Sequence, residues 1–411
     1  MNSDTGQSTA PLAGLRVLEF SHTIMGPCAG LLFADLGADV IKIEPVPDGD
    51  RTRQLPGFAS GFFATFNRNK RSLAVDLKNP EGQAAVHALV GKADIVLDNY
   101  GPGTMERLGC GWEQLAALNP TLVHLSLKGF LQGPWQQRPA LDEVVQFQSG
   151  LAYMTGPPGQ PLRAGASIVD ILGAVFGVTG VLAALRERER TGRGQRVGSS
   201  LFESAAFMMA SHIAGGAATG DEVPPMTARK GAWGVYDVFH AREGEPLFIG
   251  VTSDAQWRRF CDRFCLEELS RDERLATNPQ RTRAREWLLP ILVDHLAAYS
   301  HKELVAGCQA AEVSWAPVGK PEELISNEQL LAPGGLLDVA LASARESVAE
   351  QVLLPALPLE FGDERQRPGL YLQPPMPGQH SVQILRESGM DDAAIAALIK
   401  TGCVVDCHEA G

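Results

Sequence analysis

The chain has 411 residues, enough to bury a large core and to form two domains. A formal net charge of −12 at pH 7 argues against a general nucleic-acid or anionic-membrane surface, though a local basic pocket for a phosphorylated cofactor is still allowed. The seven cysteines form no CxxC pair and none stands at zinc-finger spacing with histidine, which suits a reducing compartment and points to no metal.

The first segment, MNSDTGQSTAPLAG, is polar and has no signal-peptide core, so a soluble, cytoplasmic protein is expected. LRVLEF (15–20) is a short buried strand. A helix from about Pro27 to Leu36 and a strand ADVIKIE (38–44) follow, which together make a βαβ unit and open a parallel sheet. Gly26-Pro27 at the helix start is a natural anion seat, but the turn is not GxGxxG, so an NAD dehydrogenase lacks its fingerprint. Arg51 and Arg53 lie in a turn-rich loop (46–57), where they are either solvated or in contact with an anion. Arg68, Lys70, Arg71 and Lys78 fall in one short span, a grouping suited to steering and holding phosphates. A helix (about 80–91) leads to the strand ADIVLDNY (93–100), the turn Gly101-Pro102-Gly103 and Arg107. A further strand covers 121–130. Ligands bind at the carboxyl ends of strands in open parallel sheets, so the loops 22–27, 99–107 and 128–138 are candidate contacts.

Residues 163–185, RAGASIVDILGAVFGVTGVLAAL, place Asp170 at the start of an apolar helix of about five turns. Gly173, Gly177 and Gly180 suit close packing in a core better than a membrane span. Unpaired N–H groups and the helix dipole at that end would keep Asp170 ionised, a possible nucleophile. The alternative is structural, because Ser167-x-x-Asp170 before an apolar run has the form of a capping box. Asp142 and Glu143, on a predicted helix nearby, suit surface or capping roles. A strand (196–202), a helix (203–214), a loose connection (215–231), a hairpin (235–251) and helices at 254–264, 284–299 and 302–312 come next. The stretch 331–380 has few periodic runs, and two closing helices follow it.

The segments FNRNKRSLAVDLKNPEG, DNYGPGTMERLG, LDEVVQFQSG, ASIVDILGAVFGVTGVLAALRERERTGRGQRVGSSLFES and PGQHSVQILRESG resemble the family III CoA-transferases, across residues 11–404. The resemblance implies an α/β fold: a Rossmann-like parallel-sheet domain built from both chain ends (1–224 and 331–411), a smaller inserted α+β domain (225–330), and two monomers interlocked as a homodimer. It makes Asp170 the covalent nucleophile. It assigns coenzyme A contacts to His22, Thr23 and Ile24, to Val75, Asp76, Leu77 and Lys78, to Asn99, Tyr100 and Gly101, to Arg107 and to Arg138. CoA thioesters and small carboxylic acids are then substrates, with no permanent cofactor, no metal, and no nucleic-acid or membrane partner.

This chain departs from the formyl-CoA/oxalate enzymes at Ile24, Pro45, Leu55 and Phe62, where they carry a glutamine, a phosphate-binding arginine, a gating tryptophan and a tyrosine. Their polyglycine loop falls on 229–234, RKGAWG. It also has Leu141 before Asp142, where the racemase branch has its second acid/base. Segment 138–171 looks most like a branch handling C4–C5 dicarboxylates, which includes mesaconyl-CoA C1–C4 transferase. The expected activity is CoA transfer between acyl-CoA and such an acid. The rivals are intramolecular CoA transfer, a 2-methylacyl-CoA racemase and a non-catalytic CoA-binding protein. Arg51, Arg53 and Arg163 are equal candidates to meet a distal carboxylate.

Overall fold

The computed structural model describes residues 10–228, 231–332, 334–341 and 349–407. The chain divides into two compact units. One runs to Thr227 and resumes at Ile325; the other covers Ala228–Leu324. Of the segment 229–234, residues 229 and 230 lie outside the described residues.

The larger unit is built on strands β1 (Arg16–Phe20), β2 (Asp39–Glu44), β3 (Lys70–Val75), β4 (Ile95–Asp98), β5 (Val123–Lys128) and β6 (Arg196–Ser200). They lie in the order β3-β2-β1-β4-β5-β6, all parallel. A short strand, Val404–Val405, adds antiparallel to β3, so the sheet takes strands from both ends of the chain. Strands β1 to β5 are buried at successive positions because both faces of the sheet are covered. Val17, Leu97 and Leu125 pack under the helices Met25–Asp35 and Ile168–Thr191. Leu18, Val96 and Leu73 pack with side chains of Pro80–Val90, Ser381–Ser388 and Asp392–Lys400.

The helix Ile168–Thr191 contains an 18-residue window of mean hydropathy 2.2, long and apolar enough to cross a membrane by composition. Here it lies on the sheet. A Cβ on Gly173 would stand 2.4 Å from Met25 Cε, and one on Gly177 2.9 Å from Leu127 Cδ2, so small residues permit this approach.

The basic run at 68–71 is not free to hold phosphates, contrary to expectation. Burial requires each cation to be paired, and each is. Arg68 meets Asp35 at 2.7 Å, Lys70 meets Glu19 at 2.7 Å, and Arg71 meets Asp39 at 2.7 Å and Glu387 at 2.9 Å. Lys42 joins the same core, 3.2 Å from Glu19 and 3.0 Å from Asp50. Lys78 stays exposed.

Two further departures concern elements. The single helix expected at 203–214 is two, Leu201–Met208 and Ala210–Thr219. The stretch after residue 331 contains an antiparallel pair, Leu336–Ala340 with Gln351–Pro355. The smaller unit holds a three-stranded antiparallel sheet, Val235–His240, Pro246–Val251 and Ser314–Pro317, with helices that include Asp254–Arg263, Arg285–Leu296 and His301–Ala310. Trp257, Phe260, Phe264 and Leu288 fill its core.

Candidate active site

The strand order turns between β1 and β4, and the crevice outside their carboxyl ends is where open parallel sheets take ligands. Two expected segments meet there. The His22 N–H donates to Asn99 Oδ1 at 3.0 Å, and Asn99 Nδ2 donates to the His22 carbonyl at 2.8 Å. The His22 ring stacks on Tyr100, centroids 5.7 Å apart. Thr23 holds a left-handed φ of 67°, unusual for a β-branched residue. Its N–H donates to Thr52 Oγ1 at 2.8 Å, and Thr52 Oγ1 donates to buried Asp50 at 2.7 Å. Ile24 is buried, and its carbonyl accepts the Cys28 N–H at 2.7 Å. Lys128 holds the second loop by donating to the Tyr100 carbonyl at 2.7 Å while paired with Asp98.

The other expected contacts share only the edge. Val75–Lys78 follows β3, two strands from β1. Val75 and Leu77 are buried, and Asp76 Oδ1 accepts the Lys78 N–H at 2.9 Å. Gly101 and Arg107 are exposed, the latter bonded to Thr104 Oγ1 at 2.8 Å. Arg138 is exposed beyond β5, its guanidinium 5.2 Å from the Trp135 ring centroid. A cleft of 780 Å³ lies along this part of the edge, with Gly101, Lys128 and Gln137 in its lining.

Asp170 belongs to the same edge, because its helix runs from the carboxyl end of β5 back to the start of β6. The cap differs from both readings of the sequence. Ser167 makes no side-chain cap bond. The Asp142 carboxylate instead accepts from Val169 N at 2.8 Å and Asp170 N at 3.0 Å. Gln146 braces Asp142 through its amide nitrogen and accepts the Ala164 N–H at 2.8 Å through its oxygen. Asp142 therefore has the capping role expected of it, on a helix other than its own.

With those N–H groups taken, Asp170 is not held ionised by the helix end. Desolvation, then the negative charges of Asp142 and Glu143, push its carboxyl up to about 7. It is half-buried. A carboxyl in that state is a candidate nucleophile at neutral pH. Leu141, exposed, supplies no acid or base. Arg53 is withdrawn from the candidates for a distal carboxylate. Its guanidinium binds Glu44 at 2.7 and 3.0 Å and the Pro375 carbonyl at 2.8 Å, and lies 3.5 Å from the Phe63 ring centroid. Thr52, which the sequence did not mark, carries no local motif, and Gln146 stands in the LDEVVQFQSG segment without an assigned role; only the fold shows what each one holds.

A parallel sheet that carries a crevice and a helix-start carboxylate on one edge makes this an α/β protein of the doubly wound class. Residues 12–381 match the model for CoA-transferase family III, and the chain belongs to that family of enzymes. A succinate–glutarate CoA-transferase of Agrobacterium fabrum is 31% identical, over 94% of this chain and 97% of that protein. An acetyl-CoA:oxalate CoA-transferase of Acetobacter aceti is 33% identical, over 87% and 92%. The crystal structure of a CaiB/BaiF family protein from Brucella suis superposes with a TM-score of 0.80 at 29% identity, covering 92% of this chain and 99% of that one.

Proposed function

We propose that this protein moves CoA between an acyl-CoA and a C4–C5 dicarboxylic acid through a covalent thioester on Asp170. The observation that carries the mechanism is the half-buried Asp170 at a capped helix start, on the edge that also carries the His22–Asn99 crevice. The similarity to a succinate–glutarate enzyme supports the acid class. So do Ile24, Leu55 and Phe62, which stand where formyl-CoA/oxalate enzymes carry other residues.

Ionised Asp170 attacks the thioester carbonyl, forming a mixed anhydride and releasing CoA thiolate. The thiolate attacks the aspartyl carbonyl, giving enzyme-bound thioester and free donor acid. The acceptor carboxylate then attacks that thioester, and the released thiolate takes the acyl group from the new anhydride, which frees Asp170. Each step is attack on an activated acyl group, so leaving-group exchange replaces strong acid or base. Excluding water prevents hydrolysis. His22, Thr23, Asn99, Tyr100, Gly101 and Arg107 line the path for the coenzyme, with backbone from Ile24 and Val75–Lys78 and charge from Arg138.

The same reading includes a homodimer. Ile171, Val175 and Phe176 on the Asp170 helix are 39%, 41% and 37% exposed, and Phe207 and Ile213 are 67% and 68% exposed. An apolar surface on this scale suits burial by a second copy. Light scattering on the purified protein tests it, with a two-chain mass expected. The activity test offers succinyl-CoA with glutarate, malate, oxalate and acetate in turn. New acyl-CoA from the C4–C5 acids is expected; transfer to oxalate or acetate alone would reject the assignment.

A further inference from the structure

We infer that Arg163 receives the distal carboxylate of the dicarboxylic substrate, an assignment that rests on the proposed dicarboxylate transfer. Three arginines were equal candidates on sequence, and the structure separates them. Arg53 is spent on Glu44, the Pro375 carbonyl and the Phe63 ring. Arg51 precedes Thr52, the residue that holds the Thr23 N–H, and its charge acts on His22, so it stands on the coenzyme side of the crevice. Arg163 belongs to the Asp170 side. Its neighbour Ala164 is bonded to Gln146, Gln146 to Asp142, and Asp142 to the Asp170 N–H.

The state of Arg163 also suits exchange. It meets Glu143 through one contact at 3.3 Å, with the side chains 39% and 47% exposed. A single-contact pair in water is weakly held, unlike the buried pairs elsewhere in this unit. The negative charge of Glu143 is one of those that raise the Asp170 carboxyl, and Arg163 is the cation paired with Glu143. A guanidinium offers a carboxylate two parallel N–H donors, which Glu143 does not use fully here. An incoming distal carboxylate takes the place of Glu143 on Arg163 while the reacting carboxyl lies at Asp170. A monocarboxylic acid has no group for this site.

The test compares wild type, Arg163→Gln and Arg163→Lys with succinyl-CoA and glutarate, with butyryl-CoA and acetate, and with free CoA as inhibitor. Arg163→Gln is expected to raise KM for the dicarboxylate on the order of 10–100-fold, with CoA inhibition and any monocarboxylate transfer unchanged. Arg163→Lys is expected to recover part of the loss. A dicarboxylate-active wild type whose Arg163→Gln variant keeps its acid preference overturns this assignment alone. So does a variant that loses CoA inhibition in parallel. A wild type that transfers CoA only among monocarboxylates overturns the functional reading and this assignment with it.

Discussion

The Asp142 carboxylate accepts the backbone N–H of Asp170 at 3.0 Å, so one acid caps the helix on which the other stands. The cap fixes the Asp170 backbone, and its charge disfavours ionisation of the Asp170 side chain. Replacing Asp142 separates the two effects. Asp142→Ala removes the acceptor and is expected to cost about 1–2 kcal/mol, read as a lower thermal midpoint. Asp142→Asn keeps an acceptor oxygen and removes the charge. Its activity should therefore persist to lower pH than that of the wild type.

The reacting form of Asp170 is the carboxylate, and its carboxyl is pushed up to about 7. The single-turnover rate with succinyl-CoA should rise as pH increases through about 7 and then level off. A rate independent of pH between 5.5 and 8 would contradict a nucleophile in this environment.

Stability carries the opposite sign. A carboxyl whose folded pKa lies above its unfolded value binds the proton more tightly in the native state. The Asp170 carboxyl therefore takes stability away as pH rises from about 4 to about 7, the window between the ordinary aspartate value and the raised one. Asp170→Asn never ionises and avoids that loss. At pH 8 the inactive variant should melt at a higher temperature than the wild type, and at pH 4 the difference should vanish. Paired thermal scans at the two values check this.

Asn99 spans the crevice through both its amide oxygen and its amide nitrogen. Asn99→Ala leaves the His22 N–H and carbonyl without these partners. KM for acyl-CoA is expected to rise about 5–20-fold, from roughly 1–2 kcal/mol of lost positioning, with a smaller change in kcat. Steady-state kinetics at saturating acceptor measure it.

The buried cations serve the fold. Glu19→Ala would leave Lys70 and Lys42 short of a carboxylate in the core, both fully buried. A loss of about 3–5 kcal/mol is expected, measured by urea unfolding.

Much of the sheet was legible because β1, β2, β4 and β5 hold short apolar stretches ended by turns, and because parallel strands buried on both faces need no alternation; β3, which opens on Lys70 and Arg71, read only as a basic span. Asp170 was legible as the acid before the glycine-spaced helix. Its raised pKa was not, because that comes first from burial in the folded chain and then from a capping acid 28 residues earlier on another helix. The run Arg68–Arg71 looked like a phosphate site for the same reason. Its partners include Glu387, 316 residues away from Arg71, and no local pattern announces them. The closing strand Val404–Val405 has two residues, too few to show a period; β3 supplies its reason to be extended.

Trapping the covalent intermediate tests the central claim most directly. The protein is mixed with succinyl-CoA, quenched with hydroxylamine or borohydride, digested and mapped by mass spectrometry. Modification at Asp170, absent in Asp170→Asn along with turnover, is the predicted result. An adduct on another residue, or an Asp170→Asn variant that turns over at the wild-type rate, would contradict it.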